Sequence, residues 1–300
     1  MAQLIFVFLD GVGLGEPSEN NPLSSAPMPA LHSLISGPLV AGREIDEPRL
    51  LLKPIDATLG VAGIPQSATG QMALFTGVNG AVLINKHLSA WPTEPLIGII
   101  ERDNILRWAA ENGHQPAFAN AYSPAYFERV RKSRRRHSVT TLCTLSAGLP
   151  LRDVADLLRG QAVYWDITHH ALRERFKIDV PLRDPGEAGR NLARLSAEHE
   201  LVVFESFLTD VAGHRRGEVN AASVLETVDR FLAGVLEDID PNVTLLVTSD
   251  HGNIEDLSTK EHTRNPVPLL AIGLHAEMFR NVVSITGVAG QIKQILAVGT

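Results

Sequence analysis

Residues 244–253 read Thr-Leu-Leu-Val-Thr-Ser-Asp-His-Gly-Asn, a short apolar run that stops on an acid, a histidine and a glycine. The run Thr244–Thr248 is continuous rather than alternating, as a strand covered on both faces requires. Working outward, Leu4–Leu9 ends on Asp10, and Leu201–Glu205 is followed by Asp210-Val-Ala-Gly-His214. Ala117–Asn120 is a further run, and Leu269–Ile272 is preceded by His262-Thr-Arg-Asn-Pro-Val-Pro268. Helical patterns lie between them. Asn104–Asn112 stops at Gly113, and Glu187–Glu198 and Ala221–Leu236 carry apolar residues three and four apart. This alternation predicts an α/β fold, a three-layer α/β/α sandwich with a mostly parallel central sheet.

Composition narrows the function classes. With 44% hydrophobic and 20% charged residues the chain is of ordinary globular make-up, which excludes disorder and a coiled coil. Its 27 basic and 34 acidic residues leave a net charge of −7, so nucleic acid and anionic membranes are not expected partners. The one cysteine, Cys143, excludes an internal disulfide and a cysteine-rich zinc site, leaving carboxylates and 11 histidines as metal donors. The opening run Leu4–Leu9 falls far short of the roughly 20 residues of a membrane span and lacks a basic start. A soluble, cytoplasmic chain is expected, read as one catalytic domain over residues 1–300. Residues 122–184 break the alternation and read as a small lid. They contain the basic run Arg131-Lys132-Ser133-Arg134-Arg135-Arg136 and Trp165-Asp166-Ile167-Thr168-His169-His170.

Three phosphate- or acyl-handling motifs fail on inspection. Gly11-Val12-Gly13-Leu14-Gly15 follows a strand, but a dinucleotide loop needs glycine where Glu16 stands, and Asp10 would face the pyrophosphate. Pro65-Gln66-Ser67-Ala68-Thr69-Gly70 is neither a P-loop nor a G-x-S-x-G elbow. No Cys/Ser-x-Pro-x-Arg begins at Ser67, which disfavours sulfatase chemistry.

The acids and histidines share a place rather than a motif. In a parallel sheet the carboxyl ends of the strands line one edge, where sites form. Taken singly, Asp10-Gly11 and Asp250-His251-Gly252 are turns and His214 is a surface histidine. Their coincidence with Ser67, in a glycine-flanked loop, is what points to chemistry.

These fragments resemble the alkaline phosphatase superfamily, above all its branch of cofactor-independent phosphoglycerate mutase and phosphopentomutase, without a full-size cap. The likeness rests on Phe8-Leu9-Asp10-Gly11-Val12-Gly13, Ser67-Ala68-Thr69-Gly70-Gln71, Asp210 with His214, Ser249 to Asn253, and His262 to Pro268. Gln71 stands where the family usually has histidine. The resemblance implies one metal held by Asp210, His214 and His262. A second would be held by Asp10, Asp250, His251 and the Ser67 oxygen. Mixed oxygen and nitrogen donors suit two divalent ions of Mn or Zn. Three aspartates and a serine alkoxide would balance the two ions, so a phosphate dianion can approach. The implied reaction is in-line phosphoryl transfer through a phosphoserine at Ser67.

The expected activity is therefore that of a phosphomonoesterase acting on a small phosphorylated substrate. The alternative is a phosphomutase of the phosphoglycerate or phosphopentose type, and the third reading is a non-catalytic metal- or nucleic-acid-binding protein. Hydrolysis is favoured because residues 122–184 are too few for a cap with its own core. Arg134 and Arg135 are the expected substrate-binding residues. The oligomeric state is not legible.

Overall fold

The computed structural model describes residues 3–130, 137–215 and 219–298. Its seven strands are β1 (Gln3–Leu9), β2 (Ile45–Glu47), β3 (Leu50–Ile55), β4 (Pro116–Phe118), β5 (Leu201–Ser206), β6 (Val243–Thr248) and β7 (Val267–Ile272). They form one sheet in the order β2-β3-β7-β6-β1-β5-β4. β6, β1, β5 and β4 pair in parallel, while β7 runs antiparallel to both β6 and β3, and β2 is antiparallel to β3.

Side chains that alternate along a strand serve two separate cores. Leu4, Phe6 and Phe8 of β1 and Leu201 and Val203 of β5 face Met72, Phe75, Leu142 and Ile292. Ile5, Val7, Val202 and Phe204 face the other way, onto Leu192, Leu225 and Phe231. Every residue of β5 and β6 is buried, which is why their sequences read as unbroken apolar runs. The three-layer α/β/α sandwich with a largely parallel sheet is the observed fold.

Helix ends follow their caps. Asn104 accepts from Arg107 N at 3.0 Å and starts Ile105–Glu111. Asp184 starts Pro185–Leu195, and Asn220 starts Ala221–Asp238. The run Ala117–Asn120 is β4 displaced by one residue, with Asn120 continuing as a bridge to Val163. β2 and β3 were not read from the sequence, because Pro54 argues against a strand.

Residues 122–184 divide into two parts. Val139–Ser146 is a helix whose Val139, Leu142 and Cys143 belong to the core against the sheet. Beyond it, Leu157, Ala162, Tyr164, Leu172 and Val180 gather with Ala121 in a small cluster of their own. The basic run 131–136, and with it Arg134 and Arg135, lies outside the described residues. No described helix is long and apolar enough to cross a membrane.

Candidate metal centre

The direction of β7 assembles the site. Asp10 follows β1, the Asp210 helix Leu208–Gly213 follows β5, and Ser249-Asp250-His251 follows β6, all at the carboxyl edge of the parallel strands. His262 comes before its strand and would lie at the opposite edge if β7 were parallel. Running antiparallel, β7 starts at the shared edge and brings His262 there. Ser67 opens the helix Ser67–Thr76, immediately after the extended Gln66.

Two groups of donors result. In the first, His251 Nε2 lies 3.2 Å from Asp10 Oδ1, 3.5 Å from Asp250 Oδ2 and 3.0 Å from Ser67 Oγ. In the second, Asp210 Oδ1 is 3.3 Å from both His214 Nε2 and His262 Nε2. The groups touch, since the His251 and His262 rings stack with centroids 3.7 Å apart. Ligand atoms of Asp10, Asp250 and His251, and of Asp210, His251 and His262, each lie within 4.8 Å of one another. The structure thus brings together all seven residues expected at the site: Asp10, Ser67, Asp210, His214, Asp250, His251 and His262.

The donors fit a cation and fit little else. His214 Nδ1 meets the Lys260 carbonyl at 2.7 Å and His262 Nδ1 meets the Pro65 carbonyl at 2.8 Å, so both Nδ1 atoms donate. In the neutral rings both Nε2 lone pairs then face each other across 3.0 Å, with the Asp210 carboxylate alongside. Relief comes from a shared cation or from extra protons on the rings. Asp10 Oδ1 and Asp250 Oδ2 are likewise buried with no hydrogen-bond partner, a costly state unless a charge pairs with them.

Electrostatics give the same account. Burial pushes the Asp250 carboxyl well up, and the charges of Asp10 and Asp210 push it further. Burial disfavours charge on His251, but Asp250, Asp10 and Asp210 outweigh it and raise the imidazole to about 10. Burial also raises Asp210, yet contacts from His214 and His262 and the His251 charge hold it well below the usual carboxylate range. A cluster whose carboxylates hold a proton on His251 this tightly is built around positive charge.

Several supporting residues carry no sequence motif. Glu255 is buried, and its Oε2 accepts from Gly13 N at 2.9 Å and from Asn253 N at 2.7 Å. Its Oε1 accepts from Thr263 Oγ1 and, at 3.0 Å, from Asn265 Nδ2. One carboxylate therefore ties together the loops that carry Asp10, His251 and His262. Asn253 Nδ2 donates to Asp210 Oδ1 at 2.7 Å. Gln71 Nε2 lies 3.4 Å from Asp10 Oδ2 and faces that carboxylate with a neutral donor. Glu205, at the end of β5, accepts from Thr140 Oγ1 at 2.7 Å. Burial, and to a lesser degree the Asp10 charge, raise its carboxyl to about 7, against the Thr140 hydrogen bond. The partner of Glu205 lies 65 positions away in the chain, so no spacing rule finds it.

Comparison with known proteins places this arrangement. Residues 185–298, which carry Asp210, His214, Asp250, His251 and His262, match the family described as the Metalloenzyme superfamily. The phosphopentomutase of Chromohalobacter salexigens is 44% identical over 230 residues, 73% of this chain and 52% of that protein. The chain thus spans about half the length of this curated relative. Among solved structures, PH0037 protein from Pyrococcus horikoshii superposes with a TM-score of 0.58 at 15% identity, covering 99% of this chain and 97% of the other. The alkaline phosphatase of the Antarctic bacterium TAB5 gives 0.57 at 14%, covering 98% of each chain. Leishmania mexicana phosphoglycerate mutase gives 0.51 at 13%, covering 98% and 95%. At such identities these structures share the fold, and the motif-bearing segment adds the donor set. Residues 185–298 thus match the Metalloenzyme superfamily, and the chain shares its fold with these alkaline phosphatase and phosphoglycerate mutase structures.

Proposed function

We propose that this protein transfers a phosphoryl group from a phosphate monoester through a phosphoserine at Ser67, with two divalent ions, Mn or Zn, held by the two donor groups. The observation that carries the reading is Ser67 Oγ at the first position of its helix, 3.0 Å from His251 Nε2 and beside the partnerless oxygens of Asp10 and Asp250. Asp10, Asp250, His251 and the Ser67 oxygen would hold one ion, and Asp210, His214 and His262 the other. Bound there, the ions lower the pKa of a nearby hydroxyl and neutralise charge on phosphoryl oxygens. Ser67 gives its proton to solvent, its oxygen forms a bond to phosphorus, and the ester P–O bond breaks on the opposite side, its oxygen taking up a proton to leave as the free hydroxyl. An acceptor hydroxyl then takes the phosphoryl group and frees Ser67.

For that acceptor we take a hydroxyl of the substrate itself, as in a pentose-phosphate mutase, because the curated relative is a phosphopentomutase. Hydrolysis is the second reading. It rests on the small cluster of Ala121, Leu157, Ala162, Tyr164, Leu172 and Val180, too slight a core for a closing domain that would exclude water. The test supplies the metal-loaded protein with a pentose 1-phosphate and, separately, an aryl phosphate. Fast conversion to the 5-phosphate with little free phosphate supports the mutase, whereas phosphate accumulating from both replaces it with a phosphatase. Ser67→Ala should abolish either activity and leave the fold intact. Retained turnover there, with loss in Thr69→Ala, reverses the choice of nucleophile.

A further inference from the structure

Trp165-Asp166-Ile167-Thr168-His169-His170 supplies no donor, yet it is built against a helix that does. Ile167 and His169 both hold left-handed backbone, at φ 65° and 68°, a conformation that costs energy for residues other than glycine. The Asp166 carboxylate holds the turn, accepting from His169 N at 2.9 Å and from Ala171 N. The strained turn ties this part of the chain to the Asp210 segment at three points. Ile167 is buried in the core cluster that includes Ala212. The Trp165 carbonyl accepts from Ser206 Oγ at 2.7 Å. The Trp165 ring lies on that of Phe207, with centroids 4.0 Å apart and planes 11° from parallel.

Phe207 stands at the head of the donor helix. It directly precedes Leu208–Gly213, and His214 directly follows, so Phe207, Asp210 and His214 fall at i, i+3 and i+7 on one helical face. The Phe207 ring is half-buried and belongs to none of the three apolar clusters formed by the described residues. Its one stacking partner among them is Trp165, which covers a single face. In the transfer proposed above, the ester bond breaks on the side opposite Ser67. Ser67 stands with the first donor group, so the organic part of the ester lies on the side of Asp210 and His214, where Phe207 is.

We propose that the Phe207 ring, backed by Trp165, is the platform on which the sugar ring of the phosphate ester lies, and so selects cyclic sugar phosphates over open-chain esters. The C–H bonds on the less polar face of a furanose carry slight positive charge and meet the negative face of the aromatic ring. The inference rests on the phosphoryl-transfer reading and is tested by binding rather than turnover. Phe207→Leu, which keeps an apolar side chain but loses the flat face, is made in the Ser67→Ala background and loaded with Mn²⁺. It is titrated calorimetrically with a pentose 5-phosphate, the corresponding pentitol 5-phosphate and inorganic phosphate. The first two differ by the ring, and the third carries only the group in transfer.

The expected loss is about three- to tenfold for the pentose phosphate, the scale of one stacking contact. The pentitol phosphate and inorganic phosphate should change less than about twofold, Phe207→Tyr should restore the affinity, and Trp165→Leu should repeat the pattern. Equal losses for all three ligands, or none for any, would overturn the proposal. So would equal affinity for pentose and pentitol phosphates before Phe207 is changed. Should Phe207→Leu fail to fold, Trp91→Phe with Trp108→Phe leaves Trp165 as the sole tryptophan. Its emission should then shift on adding the pentose phosphate and not on adding inorganic phosphate, and an unmoved spectrum would overturn the proposal. Absence of phosphoryl transfer in the wild-type protein strikes the underlying reading instead, and is measured separately.

Discussion

Gly70 explains a spacing that the sequence only displays. A Cβ on it would stand 2.7 Å from the Asp250 carbonyl oxygen and 2.9 Å from Asp250 Cβ, so the first turn of the Ser67 helix leans directly on the Asp250 loop. Only a residue without a side chain lets Ser67 Oγ come so near His251. Gly70→Ala should therefore cost roughly 1–3 kcal/mol, the usual price of overpacking, and should cut turnover by moving Ser67. Denaturant unfolding and steady-state kinetics on the same preparation check both parts. Glu205 supports a second expectation at this scale. Its carboxyl rises from an ordinary 4.5 to about 7 in the fold. The folded state therefore binds the proton more tightly, and the associated stability is complete below about pH 4.5 and lost as pH rises through about 7. In the metal-free protein, Glu205→Gln should flatten the fall in unfolding midpoint across that window, and an unchanged slope would count against it. Asp10, Asp250 and His251 were legible because each directly follows a strand. Glu205, Thr140 and Glu255 were not, since their roles exist only across contacts that chain order does not record.

Among the elements, the helices Pro185–Leu195 and Ala221–Asp238 cross with their backbones touching. A Cβ at Gly189 would meet the Phe231 carbonyl at 2.1 Å, and one at Gly234 the Gly186 carbonyl at 2.0 Å. Neither neighbour is a flexible side chain, so Gly234→Ala must push the helices apart. A loss on the order of 1–3 kcal/mol is expected, about 2–4 °C of Tm per kcal/mol at this size. Metal content should not change, because neither helix supplies a donor. The strands were unequally legible. β1, β5 and β6 announce themselves as buried apolar runs, whereas β3 hides behind Pro54. The direction of β7 could have been read: residues 249–266 hold no helical pattern, and a parallel return needs a crossover.

At the scale of the whole molecule, the two donor groups should load separately. Asp250→Asn should lose about one metal ion per chain and Asp210→Asn the other, by elemental analysis after chelation and refilling. Since the folded chain alone gathers the donors, metal at 100 times its Kd should add about 2.7 kcal/mol to stability. A chelated protein that melts at the same temperature with and without Mn²⁺ would refute the arrangement.

β1 sits between β5 and β6, with Leu4 against Leu201 and Gln3 against Val243. This interior strand therefore acquires its second flanking partner only after residue 243, and has neither until the ribosome has passed residue 201. Throughout that interval its run of buried apolar residues has no native edge to join, the condition in which nascent chains associate wrongly. Asp10 waits with it, so a metal ion offered early finds half of its ligands unmade. Ion loading should follow release of the chain rather than guide its folding, and the amount of usable protein in a cell would depend on what shields β1 in the meantime.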